Sequence, residues 1–231
     1  MIDHMIKMGL SSYDNLDLIA ANTDGQHLAA NLAKTKIQLG EKITKGLGAG
    51  GNPQIGNESA KENFEEIKAI LEQSDIVFIA SGLGGGTGTG ASPVVARAAK
   101  EVGALTVSVV TMPFDYEGKK KKELAEAGLI ELKKESDSIL VIQNDRVLNL
   151  IDKNVGFDET YILIDDILGK AVKGMVSILL ENSRVNVDFA DVKAIMSHRG
   201  LALMGMGEAS GPSAAVEALN NALESPLLDS L

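Results

Sequence analysis

The segment that decides the fold of this chain is Ser81-Gly82-Leu83-Gly84-Gly85-Gly86-Thr87-Gly88-Thr89-Gly90-Ala91-Ser92-Pro93. A short, β-branched apolar run at residues 75–80 precedes it and predicts a buried strand, and residues 92–101 follow it with helical spacing. Ser92 and Pro93 predict the cap and first turn of this helix. A strand, a glycine-rich loop and a helix in this order are typical of phosphate-binding sites, because glycines let backbone N–H groups approach a ligand beside the positive end of the helix.

The loop can be compared with known kinds of phosphate loop. A Walker A loop ends in Lys-Ser or Lys-Thr, and neither pair follows these glycines. Gly86, Gly88 and Ala91 match the dinucleotide pattern G-x-G-x-x-A, and Asp115 lies where an acid could bind a ribose. A nicotinamide-dependent oxidoreductase therefore stays open, although the unbroken run 84–90 is more specific than that pattern.

Strand-like and helix-like segments alternate along the chain. Strands are predicted at residues 16–20, 75–80, 104–110 and 138–142, and helices at 58–72, 92–101 and 122–134. This alternation predicts an α/β, Rossmann-like, open and mostly parallel sheet with helices on both faces. Residues 1–157 form the predicted nucleotide-binding domain, 158–182 a long core helix, and 183–231 a last segment with helices at 188–196 and 212–223 and a strand at 201–204.

Composition excludes several classes of protein. The chain has no cysteine and three scattered histidines, so no disulfide, iron–sulfur or protein-held metal site is predicted, and a cytoplasmic location is expected. No apolar run is long enough to insert into a membrane. With 22 basic and 32 acidic residues the net charge is −10, which argues against nucleic-acid binding. The lysine run 119–122 is interpreted as a solvated helix start.

Six motifs in the same order resemble those of the tubulin/FtsZ family of GTPases. They are Ala21-Asn22-Thr23-Asp24, Gly46-Leu47-Gly48-Ala49-Gly50-Gly51-Asn52-Pro53, the glycine-threonine run 84–90, Met112-Pro113-Phe114 with Glu117-Gly118, Asn144-Asp145, and Asn186-Val187-Asp188-Phe189-Ala190-Asp191. The resemblance implies the family's fold and a subunit that hydrolyses GTP to GDP. It also implies head-to-tail polymerisation in the cytoplasm, at the mid-cell division ring.

The resemblance also implies a nucleotide site, with Mg²⁺ held through the phosphates. Glu117 would bind the ribose, and Asn144 and Asp165 would read guanine, with the Tyr161 ring against the base. A carboxylate suits guanine because guanine presents two N–H donors side by side. The full implied set for GTP or GDP is Asn22, Asp24, Gly50, Gly51, Asn52, Gly84, Gly85, Gly86, Thr87, Gly88, Thr89, Gly90, Pro113, Glu117, Lys121, Asn144, Tyr161 and Asp165. Lys121 stands where the family commonly has arginine. Lysine keeps the positive charge but cannot make the bidentate contact of arginine.

Asp188 and Asp191 are the catalytic candidates, together with Asn186. Their spacing puts both carboxylates on one face at a helix start, where acids also serve as simple caps. By resemblance, these three residues complete the active site of the neighbouring subunit and position the attacking water.

Both ends of the chain differ from the family pattern. The family has a strand and a four-glycine loop before the helix matching residues 1–8, and a sheet domain and a partner-binding tail after residue 231. We therefore expect a fragment whose GTPase activity is weak or absent when it is alone. Contacts with other division proteins are expected through that missing tail. An inactive fragment that binds filaments stays open as an alternative.

Overall fold

The computed structural model describes residues 1–148, 156–180, 188–197, 200–202 and 204–225. The catalytic candidate Asn186 and the last residues of the predicted helix 158–182 lie outside these residues. Within them, no helix is both long enough and apolar enough to cross a membrane.

The described part of the chain contains six strands, which form two groups of parallel strands. In chain order they are β1 (Ile19–Asn22), β2 (Thr35–Gln38), β3 (Ile76–Gly82), β4 (Leu105–Met112), β5 (Ser138–Gln143) and β6 (Gly200–Leu201). β1 pairs with β2, and the larger sheet has the order β3-β4-β5-β6. Its register pairs Ile76 with Leu105, Val107 with Ser138, and Ser138 with Gly200. The predicted parallel α/β architecture is confirmed.

Eleven helices are present among the described residues. They are α1 (Ile2–Lys7), α2 (Gly25–Ala30), α3 (Glu41–Thr44), α4 (Pro53–Glu62), α5 (Phe64–Leu71), α6 (Thr87–Glu101), α7 (Lys119–Glu135), α8 (Asn144–Leu148), α9 (Phe157–Leu180), α10 (Phe189–Met196) and α11 (Ala214–Leu223). The predicted helix 58–72 is in fact two helices that break at Asn63.

The predicted start of α6 at Ser92 and Pro93 is wrong. The helix begins five residues earlier, at Thr87, and Pro93 lies inside it. The Ser92 hydroxyl is no cap: it donates to the Gly88 carbonyl oxygen at 2.6 Å and bonds the Ser81 hydroxyl at 2.8 Å. The glycines of the loop therefore include the first turn of the helix, despite their low intrinsic helix propensity.

The large sheet is covered on both faces. All eight residues of β4 are buried, as expected for a central parallel strand. One face packs against α4 to α7 through residues such as Ile67, Val94 and Leu132. The other packs against α1 and α9 through residues such as Met5 and Leu168. These two layers fix the strand ends, and with them the loops that carry the candidate site.

Candidate nucleotide-binding site

The carboxyl ends of β3, β4 and β5 meet at one edge of the large sheet. Gly82 is in register with Thr111, and Met112 with Gln143. The glycine-rich loop, the segment 113–118 and Asn144 each follow one of these strands, so the parallel sheet brings them together. This edge is where ligands bind in open α/β sheets.

The glycine-rich loop is held by hydrogen bonds from within. Gly84 has a φ of +99°, a conformation that favours glycine. Its N–H donates to the Thr89 hydroxyl at 2.8 Å, and Thr89 is buried. The Thr87 hydroxyl lies 2.6 Å from the hydroxyl of the fully buried Thr23. Thr89 therefore supports the loop from inside. Thr23 supports it too, although within motif 21–24 only Asn22 and Asp24 were predicted as site residues.

The glycines of the loop fall into two groups. A Cβ on Gly86, Gly88 or Gly90 would collide with Ala49 and Asn52, with Gly82, or with Pro53, respectively. These three glycines are required for close backbone packing. A Cβ on Gly85 would meet nothing within 4 Å. Of Gly85, Gly86, Gly88 and Gly90, only Gly85 therefore borders space that a ligand can fill.

The second glycine-rich segment, residues 46–52, lies against the first. A Cβ on Gly86 would lie 2.9 Å from the backbone nitrogen of Asn52, whose side chain caps α4 by accepting from Gln54 N–H at 2.9 Å. Gly50 and Gly51 have φ of 57° and 73°, and a Cβ on either would meet nothing within 4 Å. The two loops therefore present open glycines on neighbouring backbones.

Asn22 and Asp24 shape the backbone beside this segment. The Asn22 side chain accepts from the Asp24 N–H at 3.1 Å. Asp24 caps α2 by accepting from the backbone N–H groups of His27 at 3.0 Å and Gln26 at 2.9 Å. These bonds, the one from His27 foremost, hold the pKa of the Asp24 carboxyl below its ordinary value, although partial burial opposes them. Both side chains are engaged in turns of their own chain.

Asn144, which begins α8, has a side chain without a full set of partners. It is 5% exposed, and its Oδ1 accepts no hydrogen bond from the part of the chain that the structure describes. Asp165, on α9, accepts from the amino group of Met1 at 2.6 Å through one carboxylate oxygen. Tyr161 lies one turn earlier on α9 and is 37% exposed.

The segment after β4 carries the predicted ribose ligand. Glu117 accepts from the Phe114 N–H at 2.9 Å through one carboxylate oxygen and pairs with Lys121 at 2.8 Å through the other. Pro113 and Lys121 both lie against Gly84, where a Cβ would be 3.2 Å from the Pro113 ring and 3.1 Å from the Lys121 carbonyl oxygen. Glu117, Pro113 and Lys121 are thus gathered at the glycine-rich loop.

Asp115, the acid considered for a dinucleotide site, is engaged in an ion pair. Its carboxylate bonds Lys122 at 2.7 Å, and this contact holds its pKa below the ordinary value. A Phe114 ring stacked on Tyr116 completes the segment. Phe114 and Tyr116 were not among the predicted site residues. Their closeness in sequence to Glu117 could have indicated that they belong to the site.

Asp188 and Asp191 lie at the other edge of the sheet. Lys193 of α10 and Ser197, which follows that helix, line a cavity of about 210 Å³ with Leu105 at the amino end of β4. β4 has eight residues, so at about 3.3 Å per residue the two edges are about 25 Å apart. Both acids are exposed, and the Asp188 side chain makes no capping hydrogen bond. The fold therefore does not bring these acids to the glycine-rich loop of the same chain.

No cluster of three or more potential metal ligands exists among residues 1–148, 156–180, 188–197, 200–202 and 204–225. The polar groups at the site are backbone amides, threonine hydroxyls, asparagine side chains and separate carboxylates. Such a set suits a phosphate-bound cation that keeps most of its water, rather than a cage of protein ligands.

Comparison with known proteins agrees with this arrangement. The family model for the Tubulin/FtsZ family, GTPase domain, matches residues 1–152. The cell division protein FtsZ of Helicobacter pylori (strain ATCC 700392 / 26695) is 50% identical over 229 residues, which are 99% of this chain and 59% of that protein. The chain thus spans 59% of the length of this curated relative.

Solved structures give the same assignment. An empty FtsZ dimer from M. jannaschii matches with a TM-score of 0.91 at 47% identity, over 98% of this chain and 66% of that one. CetZ2 from Haloferax volcanii, a GTPγS-bound protofilament, matches with a TM-score of 0.77 at 23% identity, over 95% of this chain and 66% of that one, and shows the shared fold alone. These matches do not favour the oxidoreductase alternative. The chain belongs to the tubulin/FtsZ family, and the part matched is the family's GTPase domain.

Proposed function

We propose that this chain is the GTP-binding part of a cell-division GTPase that polymerises head to tail. The observation that carries the proposal is the buried Asn144 Oδ1, which has no partner among the residues that the structure describes and lies at the same sheet edge as the open side of Gly85. An unpaired buried acceptor costs about 1–3 kcal/mol. A ligand that brings N–H donors to this edge and phosphates to the glycines removes that cost.

The phosphates bind the backbone of the two glycine-rich segments. Gly85, Gly50 and Gly51 leave room for phosphate oxygens near their N–H groups. The positive end of α6, a helix of 15 residues, adds a favourable field. This backbone is held in shape by the other residues of the two segments, which are Asn52, Gly84, Gly86, Thr87, Gly88, Thr89 and Gly90. Lys121 supplies a positive charge.

The base is read by an amide and a carboxylate. Guanine presents its N1–H and 2-amino groups side by side, so it can donate to Asp165 and satisfy the acceptor of Asn144. Adenine has an acceptor at N1 and would bring no donor there to the Asp165 carboxylate, which is the kind of mismatch that gives strong discrimination. Tyr161 packs against the base, and Glu117 accepts from the ribose hydroxyls.

Hydrolysis is completed by a second subunit. Asp188 and Asp191 are exposed at the edge opposite the nucleotide, where a head-to-tail contact would bring them to the site of the next chain. There, with Asn186, they orient the attacking water and accept its proton. A bound Mg²⁺ would neutralise charge on the phosphates.

The relatives support polymerisation and a role in cell division. The H. pylori relative carries the name cell division protein, and the M. jannaschii relative was solved as a dimer. We assign this chain to a cytoplasmic polymer of the mid-cell division ring. We assign contacts with other division proteins to the part of the relatives that this chain does not cover.

The test is calorimetric titration of the 231-residue chain with GDP, ADP and NAD in Mg²⁺ buffer. Binding of GDP at least tenfold tighter than ADP is expected, and equal binding of GDP and ADP or preferred binding of NAD would overturn the proposal. GTP turnover per chain is measured in parallel over a range of chain concentrations. Turnover in trans rises with concentration, whereas an inactive filament-binding fragment binds GDP or parent filament without turnover at any concentration.

A further inference from the structure

Both carboxylate oxygens of Glu117 accept a hydrogen bond from within the chain. Oε1 accepts from the Phe114 backbone N–H at 2.9 Å, and Oε2 accepts from the Lys121 ammonium group at 2.8 Å. Because the two donors hold different oxygens, they fix the plane of the carboxylate, which a single bond would leave free to rotate. A carboxylate has about four lone-pair sites, so these bonds leave sites for two further donors.

The ion pair between Lys121 and Glu117 is the better shielded of two such pairs formed by the lysine run 119–122. Lys119 pairs with Glu123 at 3.6 Å, and that carboxylate side chain is 62% exposed. The Glu117 side chain is 17% exposed. Water and salt screen an ion pair less where one partner is shielded. The bond from Lys121 is therefore the stronger restraint on its carboxylate.

The backbone of Lys121 is fixed against the glycine-rich loop. A Cβ on Gly84 would lie 3.1 Å from the Lys121 carbonyl oxygen and 3.5 Å from its Cβ. Helix stability does not explain a lysine here, because the first turn of a helix disfavours cations, and α7 has no acidic residue in that turn. The position of Lys121 is better explained by what its ammonium group contacts, which is the Glu117 carboxylate.

We propose that Lys121 is a positioning residue, which orients the Glu117 carboxylate to accept from the neighbouring 2′- and 3′-hydroxyl groups of a ribonucleotide. A carboxylate that the ligand must orient costs affinity, and one oriented in advance does not. The inference rests on the proposed function, because it needs a guanine nucleotide whose sugar meets Glu117. It goes beyond that function, because Lys121 acts on the sugar through Glu117, and the pair selects ribose over deoxyribose.

The experiment is calorimetric titration with GDP and with 2′,3′-dideoxy-GDP, and the quantity compared is the ratio of their dissociation constants. The wild type should bind GDP about tenfold or more tightly than the dideoxy analogue, which has no hydroxyl for the charged acceptor. Lys121→Met keeps the apolar stem and removes the ammonium group, so it should reduce this preference about three- to tenfold. Lys121→Arg keeps a charged donor and should retain the preference within about twofold.

Two further variants serve as controls. Lys119→Met removes the same charge from the same lysine run, together with an ion pair to Glu123, and should leave the preference unchanged. Glu117→Ala should bring the ratio near one, because the acceptor is gone. In the Glu117→Ala background Lys121→Met should cause no further change of the ratio, since it then has no carboxylate to orient.

The outcomes separate this inference from the proposed function. If the wild-type chain binds neither guanine nucleotide, the proposed function fails and the positioning role fails with it. If the wild type binds GDP and the dideoxy analogue equally tightly, the guanine site stands and the role of Glu117 and Lys121 toward the sugar fails. If Lys121→Met weakens both nucleotides by the same factor, or if Lys119→Met lowers the preference as much, the lysine charge acts on the nucleotide as a whole and the inference is overturned.

Discussion

Gly90 of α6 lies directly against the backbone carbonyl group of Pro53 in α4, and a methyl group on Gly90 would occupy the place of that oxygen. The same Cβ would lie 2.7 Å from the Asn57 backbone nitrogen. α4 and α6 therefore touch backbone to backbone just behind the glycine-rich loop. The close approach also places the Asn57 side-chain amide 3.2 Å from the Gly90 carbonyl oxygen, to which it donates.

Gly90→Ala should destabilise the fold. Alanine gains about 1 kcal/mol of helix propensity over glycine, but the collision is with backbone that no rotamer change can relieve. We expect a net loss of about 2 kcal/mol or more in the free energy of unfolding, measured by urea denaturation. A stability equal to that of the wild type would mean that the two helices are further apart than the structure shows.

Gly85→Ala should have the opposite profile. Its Cβ meets nothing within 4 Å and its φ is outside the left-handed region, so the free energy of unfolding should change by less than about 0.5 kcal/mol. The methyl group enters the space assigned to phosphate, and GDP affinity should fall at least tenfold in calorimetric titration. Unchanged GDP affinity would place the phosphates elsewhere. Gly90→Ala and Gly85→Ala are thus matched controls for each other.

Asn144→Leu should separate binding from stability in another way. The free chain loses an unpaired buried acceptor, so its free energy of unfolding should stay equal or rise by about 1 kcal/mol. GDP affinity should fall about tenfold or more, because the bound guanine loses its acceptor.

Asn57→Leu is the control for Asn144→Leu, since its amide donates to Gly90 in the free chain. This control should lose about 1 kcal/mol of stability. A strong loss of stability in Asn144→Leu would show that its amide is paired without a ligand.

The sequence predicts the large sheet well because β3, β4 and β5 are short, mostly apolar runs. β4 and β5 are buried on both faces, whereas buried and half-buried residues alternate along β3. β2 was not predicted, because Thr-Lys-Ile-Gln contributes a single buried apolar residue, Ile37. The start of α6 was misplaced because the Ser-Pro pair is a strong local signal. Close packing of Gly88 and Gly90 against other backbone overrides that signal.

The sequence predicts which residues belong to the site, but not which of them face the ligand and which support the loop. Five of the seven residues 84–90 are glycine, yet only the tertiary packing shows that Gly85 is open while Gly86 and Gly90 are blocked. The missing partner of Asn144 likewise depends on what surrounds it after folding.

Asp166 gives a prediction for pH dependence. Burial raises the pKa of its carboxyl, but hydrogen bonds from Lys170 at 2.6 Å and His4 at 3.3 Å outweigh burial and leave the pKa lower than its ordinary value of 3.8. A carboxyl whose pKa is lowered by folding stabilises the fold above its unfolded pKa, and this contribution is lost as the pH falls through the folded pKa.

Asp166→Asn should therefore lower the free energy of unfolding at pH 7 by about 0.5–1 kcal/mol. The difference from the wild type should shrink as the pH falls below 3.8. Urea denaturation between pH 3 and pH 7 measures it, with exposed Asp17→Asn as the control. A difference that stays constant over this range would show that the loss comes from packing rather than from charge.

Asp188→Ala and Asp191→Ala test whether catalysis requires a second chain. Both acids are exposed, so each variant should keep its free energy of unfolding within about 0.5 kcal/mol. Each should also bind GDP as the wild type does, because their helix lies near the amino end of β4 and the glycine-rich loop follows the carboxyl end of β3. GTP turnover should be lost in each variant.

An equimolar mixture of Asp191→Ala with Gly85→Ala should regain turnover, because one chain supplies the intact nucleotide site and the other the intact acids. The GDP titration decides the assignment even where turnover is slow: a loss of GDP affinity in Asp188→Ala or Asp191→Ala would mean that these acids serve the site of their own chain.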